Sequence, residues 1–252
     1  MNIIACCKIV PEEQDIFINA DGTVNTAKAS PKISQYDLNA LEAAVELAAG
    51  AGGTVTVLSA GVPAALDSAK VRKDILSRGA DSLSVVVDAG LEGARPARTA
   101  AVLAEAARNM DFDLILCGEG SGDLYAQQVG ILLGEALGVP CINAVSSITL
   151  ADGIARVERS LEKETQVLEI PLPAVLSVTS DINTPRIPSM KSILGAGKKP
   201  VHAGTPTTGD GTLSQTLSVL APEQVKRLGD IIEGDSDENI AAFAEKLRRI
   251  FQ

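Results

Sequence analysis

Apolar and polar positions alternate between two periods along the first half of the chain. NIIACCKIV is a continuous apolar run that predicts a buried strand. YDLNALEAAVELAAG then carries apolar residues at helical spacing, up to a break at Gly50, Gly52 and Gly53. TVTVLSAG predicts a second strand, AALDSAKVRKDILSRG one helix closed by Gly79, SLSVVVD a third strand, ARTAAVLAEAARNM a helix and DLILCG a fourth strand. This alternation predicts a doubly wound, mainly parallel sheet of α/β class, with right-handed crossovers and helices on both faces. Ahead of the first helix, IFINADGTVNT places a D-G turn between short β-like runs, which predicts a small inserted hairpin.

Beyond Pro140 the period changes. AVSSITLADGIARVERSLEKETQVLEIPLPAVLSVTS alternates like strands broken by turns, so the sheet is expected to extend into an antiparallel meander. From Ile182, INTPRIPSMKSILGAGKKPV holds Pro185, Pro188 and Pro200 with Arg186, Lys191, Lys198 and Lys199, and no acid. Prolines disfavour a regular helix, so the segment reads as an exposed arm, either docking on a partner or merely solvated. His202 to about Leu220 reads as a linker or strap. The closing DSDENIAAFAEKLRRIF is an amphipathic helix capped by Asp235, Ser236 or Asp237, with Ile240, Phe243, Ala244, Leu247 and Phe251 on one face. The division expected is an α/β domain over 1–201, including the arm at 183–200, followed by a C-terminal strap and helix over 202–252.

Composition narrows the function. At 46% apolar content the chain can bury a full core. A net charge of −10 opposes nucleic acid binding, which needs a positive face. No apolar run approaches a membrane span, and the opening residues read as a strand and not a signal peptide. Cys6, Cys7, Cys117 and Cys141 lack C-x-x-C spacing, so they read as reduced cytoplasmic thiols, neither zinc ligands nor disulfides. The one histidine, His202, beside Pro200, reads as a solvated loop residue, which leaves histidine catalysis poorly supplied.

The most informative stretch is CGEGSGDLYAQQVG, where the fourth strand gives way through a glycine-bearing loop to the helical pattern VGILLGEAL. A helix N-terminus presents unpaired N–H groups and partial positive charge, and Gly118, Gly120 and Gly122 would let a phosphate approach the backbone. Asp123 would compete as an N-cap; the expectation is that it turns inward and leaves the amides from Leu124 onward for a ligand. The loop is neither a Walker A sequence nor the G-x-G-x-x-G fingerprint of a first βα turn. A plain helix cap with small residues for tight packing is the competing reading.

NIIACCKIVPEEQD, KISQYDLNALEAA, KVRKDILSRGADSL, CGEGSGDLYAQQVG, LEIPLPAVLSVTSDINTPRIPSM and KSILGAGKKP occur in an order that resembles the beta subunit of electron transfer flavoprotein, most closely its FixA-type branch. The resemblance runs over roughly residues 1–201. It implies a heterodimer in which a larger alpha subunit holds most of the redox FAD, while this chain buries AMP or a second FAD. By position, that nucleotide would touch Cys6, Ser34, Gln35, Tyr36, Asp37 and Ala60. It would also touch the loop residues Gly118, Glu119, Gly120, Ser121, Gly122, Asp123, Leu124, Tyr125, Ala126, Gln127, Gln128 and Val129. A strand order of 3-2-1-4 would bring these segments together at the switch point.

Val129 stands where AMP-binding members often carry Thr and bifurcating ones often carry Val, and Leu124 and Tyr125 match neither form well. Ser160 stands where many members carry a glutamate that steadies the mobile flavin domain, though Glu158 and Glu162 flank it. The arm corresponds to the family's recognition loop for an acyl-CoA dehydrogenase-type partner, with Met190 as its apolar anchor and Arg186 and Lys191 beside it. The implied role is that of an electron carrier subunit without acid–base residues of its own, in the setting of anaerobic carnitine metabolism that the FixA branch suggests. Two other readings of the residues are a free-standing adenine-nucleotide sensor and an ATP-pyrophosphatase-type enzyme. The latter would need an S-G-G-x-D-S loop where this chain has CKIVPEE.

Overall fold

In the computed structural model, which describes residues 1–207, 216–223 and 229–251, the first strand β1 (Asn2–Cys6) lies in the interior of a nine-stranded sheet. It is shorter than its apolar run. The Lys8 N–H leaves the sheet to bond Asp37 Oδ2 at 2.7 Å, and the chain turns into β2 (Ile9–Pro11). After the hairpin β3 (Phe17–Ile18) and β4 (Val24–Asn25), strand β5 (Pro31–Ile33) pairs antiparallel with β2.

The helix α1 (Gln35–Ala51) ends on Gly52, whose left-handed φ of 65° suits a residue without a Cβ. It buries Leu41, Ala44 and Ala48 against the sheet. Strand β6 (Thr54–Gly61) is followed by two helices where the sequence predicts one. α2 (Pro63–Leu66) stops before Ser68, and the Ser68 hydroxyl caps α3 (Ala69–Ser77) by accepting the Val71 N–H. Strand β7 (Ser82–Val87), helix α4 (Pro96–Ala107), strand β8 (Leu114–Gly118) and helix α5 (Val129–Leu137) complete the alternation.

The meander consists of β9 (Cys141–Ala151), β10 (Ile154–Ser160) and β11 (Thr165–Pro171), all antiparallel. The apolar AVLSV does not continue it. As β12 (Ala174–Val178) it is buried throughout and inserts parallel between β9 and β8, which is where a strand apolar on both faces belongs. The prolines of the arm do not prevent helix α6 (Met190–Ala196), because Pro185 and Pro188 precede its cap. The Ser189 hydroxyl accepts the Ser192 N–H. β13 (Val201–Gly204) then pairs parallel with β7 as an edge strand, so the sheet extends past residue 201 and His202 lies in a strand, not a loop. Part of the expected strap, 208–215, lies outside the described residues. Leu220 bridges to Thr23 on the hairpin. Helix α7 (Asp237–Ile250), capped by Ser236, buries none of its residues.

The sheet order is β11-β10-β9-β12-β8-β1-β6-β7-β13. One core layer packs under α1 and α3, around Ile3, Leu41, Val57, Ile75 and Leu116. The other packs under α4 and α5, around Ile4, Leu58, Leu103, Ile115 and Leu133. Within the order, β8-β1-β6-β7 is the expected 3-2-1-4 run. The chain winds outward from β1 through β6 and β7, then returns to β8 on the other side of β1. The switch point therefore lies between the carboxyl ends of β1 and β8. Among the described residues, no helix is long and apolar enough to cross a membrane.

Candidate functional site

At that switch point the crossover helices diverge and leave a cleft with about 720 Å³ of empty space, counted out to its open mouth. Cys6 and Cys117, neighbours on β1 and β8, form its floor; Leu58 and Ala60 from β6 and Leu103 from α4 form an apolar wall. Opposite stand Gly118, Glu119, Gly120, Ser121, Leu124, Ala126, Gln128 and Val129 of the loop between β8 and α5. Of the residues expected at the site, these and Asp37 line the cleft. Ser34, Gln35, Tyr36, Gly122, Asp123, Tyr125 and Gln127 are not part of that lining, and of these only Ser34 is buried. Lys8, Cys7, Leu58 and Thr99 line it without having been singled out; that Lys8 interrupts the apolar run of the first strand was the signal available for it.

Residues in the lining and next to it hold the loop. Asp37, buried near the N-terminus of α1, accepts the N–H of Lys8 at Oδ2 (2.7 Å) and of Gly118 at Oδ1 (3.2 Å), clamping the ends of β1 and β8 together. Burial pushes its carboxyl up to about 7, against the pull of those N–H groups and of the Lys8 charge. The buried Ser34 hydroxyl accepts the Gly122 N–H at 3.2 Å, so it serves the loop and does not cap α1. Tyr36 lies against Tyr125, ring centroids 5.0 Å apart.

The glycines act differently from the expectation. A Cβ on Gly118 would lie 2.6 Å from the Tyr36 carbonyl carbon and 2.7 Å from Asp37 Oδ1, and one on Gly120 2.5 Å from the Tyr125 ring. Their missing side chains make room for protein. Gly122 has only Val10 Cγ2 nearby, at 3.8 Å. Asp123 is not an N-cap, because α5 starts at Val129. Its carboxylate takes the Lys8 ammonium at 2.7 and 2.8 Å and its own neighbour's Leu124 N–H at 2.9 Å. Hydrogen bonds from Lys8 outweigh partial burial and hold the Asp123 carboxyl below the usual range. Gln128 precedes α5 and makes no side-chain cap bond. The start of that helix, where Val129 and Gly130 line the cleft, thus lacks the side-chain cap that usually closes a helix end.

The thiols offer little nucleophilic chemistry. A hydrogen bond with Cys6 and burial push the Cys117 thiol well up, and burial does the same to Cys7. Both stay protonated. The arrangement suits binding: a flat apolar slot beside a helix end that favours an anion.

The arm is mounted rigidly from two sides. Arg186 does not reach outward; its guanidinium forks onto Glu42 with two bonds of 2.7 Å, and its N–H adds a third at 3.0 Å. Asn39 and Asn183 exchange bonds through side-chain amides and backbone carbonyls. At the other end the Lys199 ammonium bonds the Leu76 carbonyl in the last turn of α3 and the Ala80 carbonyl after it, at 2.9 and 2.6 Å. Between these ties Ile187, Met190 and Leu194 project with 93%, 72% and 74% of their surfaces exposed. Lys191 is exposed beside them. Ser160 ends β10 at the surface, with its hydroxyl on Ser146 Oγ at 3.0 Å.

The model of the electron transfer flavoprotein domain matches residues 21–208, which takes in α1, the cleft loop, the meander, the arm and the edge strand. With more than half of the chain matched and a doubly wound sheet whose cleft opens at the switch point, the chain belongs to the electron transfer flavoprotein domain family.

Proposed function

We propose that this chain is the beta-type subunit, of the FixA branch, in a heterodimeric electron transfer flavoprotein. The observation that carries this is the slot between β1 and β8, where an apolar wall meets the uncapped start of α5. An adenine ring fits between walls such as Leu58, Ala60 and Leu103, and a phosphate fits the amides of Val129 and its neighbours. The ligand is AMP or the AMP half of a second FAD; the two share that chemistry. The redox FAD sits mainly on a larger alpha subunit and supplies the electron transfer chemistry when bound. This chain's own residues bind the nucleotide, order the loop around it and present a docking surface.

The apolar face of α7, with Ile240, Phe243, Leu247 and Phe251 exposed, supports a partner subunit over a free-standing sensor. Ile187, Met190 and Leu194 form a second, separate apolar projection, suited to an acyl-CoA dehydrogenase-type flavoenzyme, with anaerobic carnitine metabolism as the proposed setting. A cytoplasmic location accords with four free thiols. The test is Met190→Ala in the intact complex. Loss of an apolar anchor commonly costs on the order of 2 kcal/mol, so electron transfer to the dehydrogenase should slow about tenfold or more at subsaturating partner. The flavin spectrum and bound nucleotide should stay as they are. Wild-type transfer kinetics in this variant would count against the docking role.

A further inference from the structure

Lys8 is the only cation among the described residues that line the cleft, and Asp37 and Glu119 line it as carboxylic acids. Its ammonium is committed to Asp123, with bonds of 2.7 and 2.8 Å and a longer contact of 3.5 Å to Ser121 Oγ. The pair joins the end of β1 to the far side of the loop, 115 residues later. It is half-sheltered, with 37% of the Lys8 side chain and 26% of the Asp123 side chain exposed. The loop it holds is strained: Tyr125 and Gln127, neither of them glycine, adopt φ of 44° and 55°. Such a conformation persists only where surrounding contacts impose it, and Asp37, Ser34, Tyr36 and Lys8 supply the contacts here.

We propose that Lys8 is a positioning residue that makes the cleft mouth acceptable to a phosphate, by neutralising Asp123 and tying it to the end of β1. This rests on the nucleotide reading above. Asp123 is not itself part of the cleft lining, but its carboxylate lies 2.7 Å from the ammonium of Lys8, which is, so without Lys8 its charge would repel the phosphate that the start of α5 attracts. Paired with Lys8, it presents no net charge and still fixes the loop. The two roles separate on substitution. Removing Lys8 leaves a bare negative charge and a loose loop; removing the Asp123 charge leaves a loose loop and a free ammonium.

The experiment uses the intact complex stripped of nucleotide and titrated with AMP by calorimetry, for wild type, Lys8→Met, Asp123→Asn and the double variant. Lys8→Met should weaken AMP binding about tenfold or more, since its carboxylate goes uncompensated in a partly buried site. Asp123→Asn should bind within about threefold of wild type, and the double variant should regain most of what Lys8→Met loses. A double variant as weak as Lys8→Met would overturn the neutralising role, as would unchanged binding in Lys8→Met. Recovery in the double variant also shows that Lys8→Met is weak for reasons other than misfolding. Hydrogen exchange of the loop amides, measured without nucleotide, reads the tether alone. Uptake over 119–128 should rise in both single variants, and unchanged uptake would overturn the tether. If wild type bound neither AMP nor FAD, the nucleotide reading would fall by itself, while the exchange result would still decide the tether.

Discussion

Arg186→Met decides between two roles for one cation, because the sequence assigns Arg186 to an exposed docking arm and the structure commits it to Glu42. The Glu42 side chain keeps only 7% of its surface exposed, whereas the Arg186 side chain keeps 40%. Glu42 accepts three bonds from Arg186, and these hold its carboxyl below the usual range despite burial. Removing one partner of a fully buried pair costs about 3–5 kcal/mol, because the other charge stays desolvated. With the guanidinium partly in water, the expected loss is about 2–3 kcal/mol at neutral pH. The backbone bond from the Arg186 N–H survives, which also argues for the lower part of that range.

The pH dependence gives the sign. In wild type, the lowered carboxyl contributes stability that is present above the ordinary glutamate value, near about 4.3, and lost as pH falls through the lower folded value. In Arg186→Met, burial without the guanidinium raises the Glu42 carboxyl. The variant's deficit should therefore be largest at neutral pH and shrink as the solution is acidified and Glu42 becomes neutral. Urea unfolding of both proteins from pH 5 to 8 measures this. A deficit below about 0.5 kcal/mol, the range of an ordinary surface substitution, independent of pH, would refute the anchoring argument. Slower partner association in a variant of undiminished stability would return Arg186 to the docking surface.

Two further outcomes follow from the clamp on the cleft. Asp37 has its carboxyl raised to about 7, so its stabilising contribution is present at low pH and lost as pH rises through 7. Relative to the non-ionising Asp37→Asn, wild type should lose roughly 3 kcal/mol between pH 5 and about 7.5, about two units at 1.36 kcal/mol per unit, and level off above that; parallel profiles would exclude a raised value. Gly118→Ala sets a Cβ 2.6 Å from the Tyr36 carbonyl carbon and 2.7 Å from Oδ1 of the buried Asp37. It should cost about 1–3 kcal/mol and deplete bound nucleotide, as read by chemical unfolding and by extraction, whereas Gly122→Ala, with open space around it, should leave nucleotide content unchanged.

Periodicity made the central strands and helices legible because each buries one face or both, and the 3-2-1-4 order follows from how such units wind. The departures have local causes. Ser68 captures the start of α3 and divides one predicted helix into two. β12 is marked as an interior strand by being apolar on both faces, but nothing local marks its pairing with β8 and β9. In the arm, the prolines pointed away from helix, but Ser189 starts α6 just after Pro188, and Pro200 comes only after the helix has ended. The cleft's position was legible from the loop after the fourth strand. How that loop is held was not, because Ser34, Asp37 and Lys8 reach it across about 80 to 115 residues of chain, distances at which no spacing rule operates.

The most direct measurement is native mass spectrometry of the complex purified through a tag on this chain, followed by release and identification of its nucleotides. The expected result is one larger flavin-bearing subunit per chain, the redox FAD, and one adenine nucleotide, AMP or a second FAD, that is lost on Gly118→Ala while the heterodimer persists. A chain recovered alone or only with copies of itself, or a heterodimer with no nucleotide beyond the redox flavin, would contradict it.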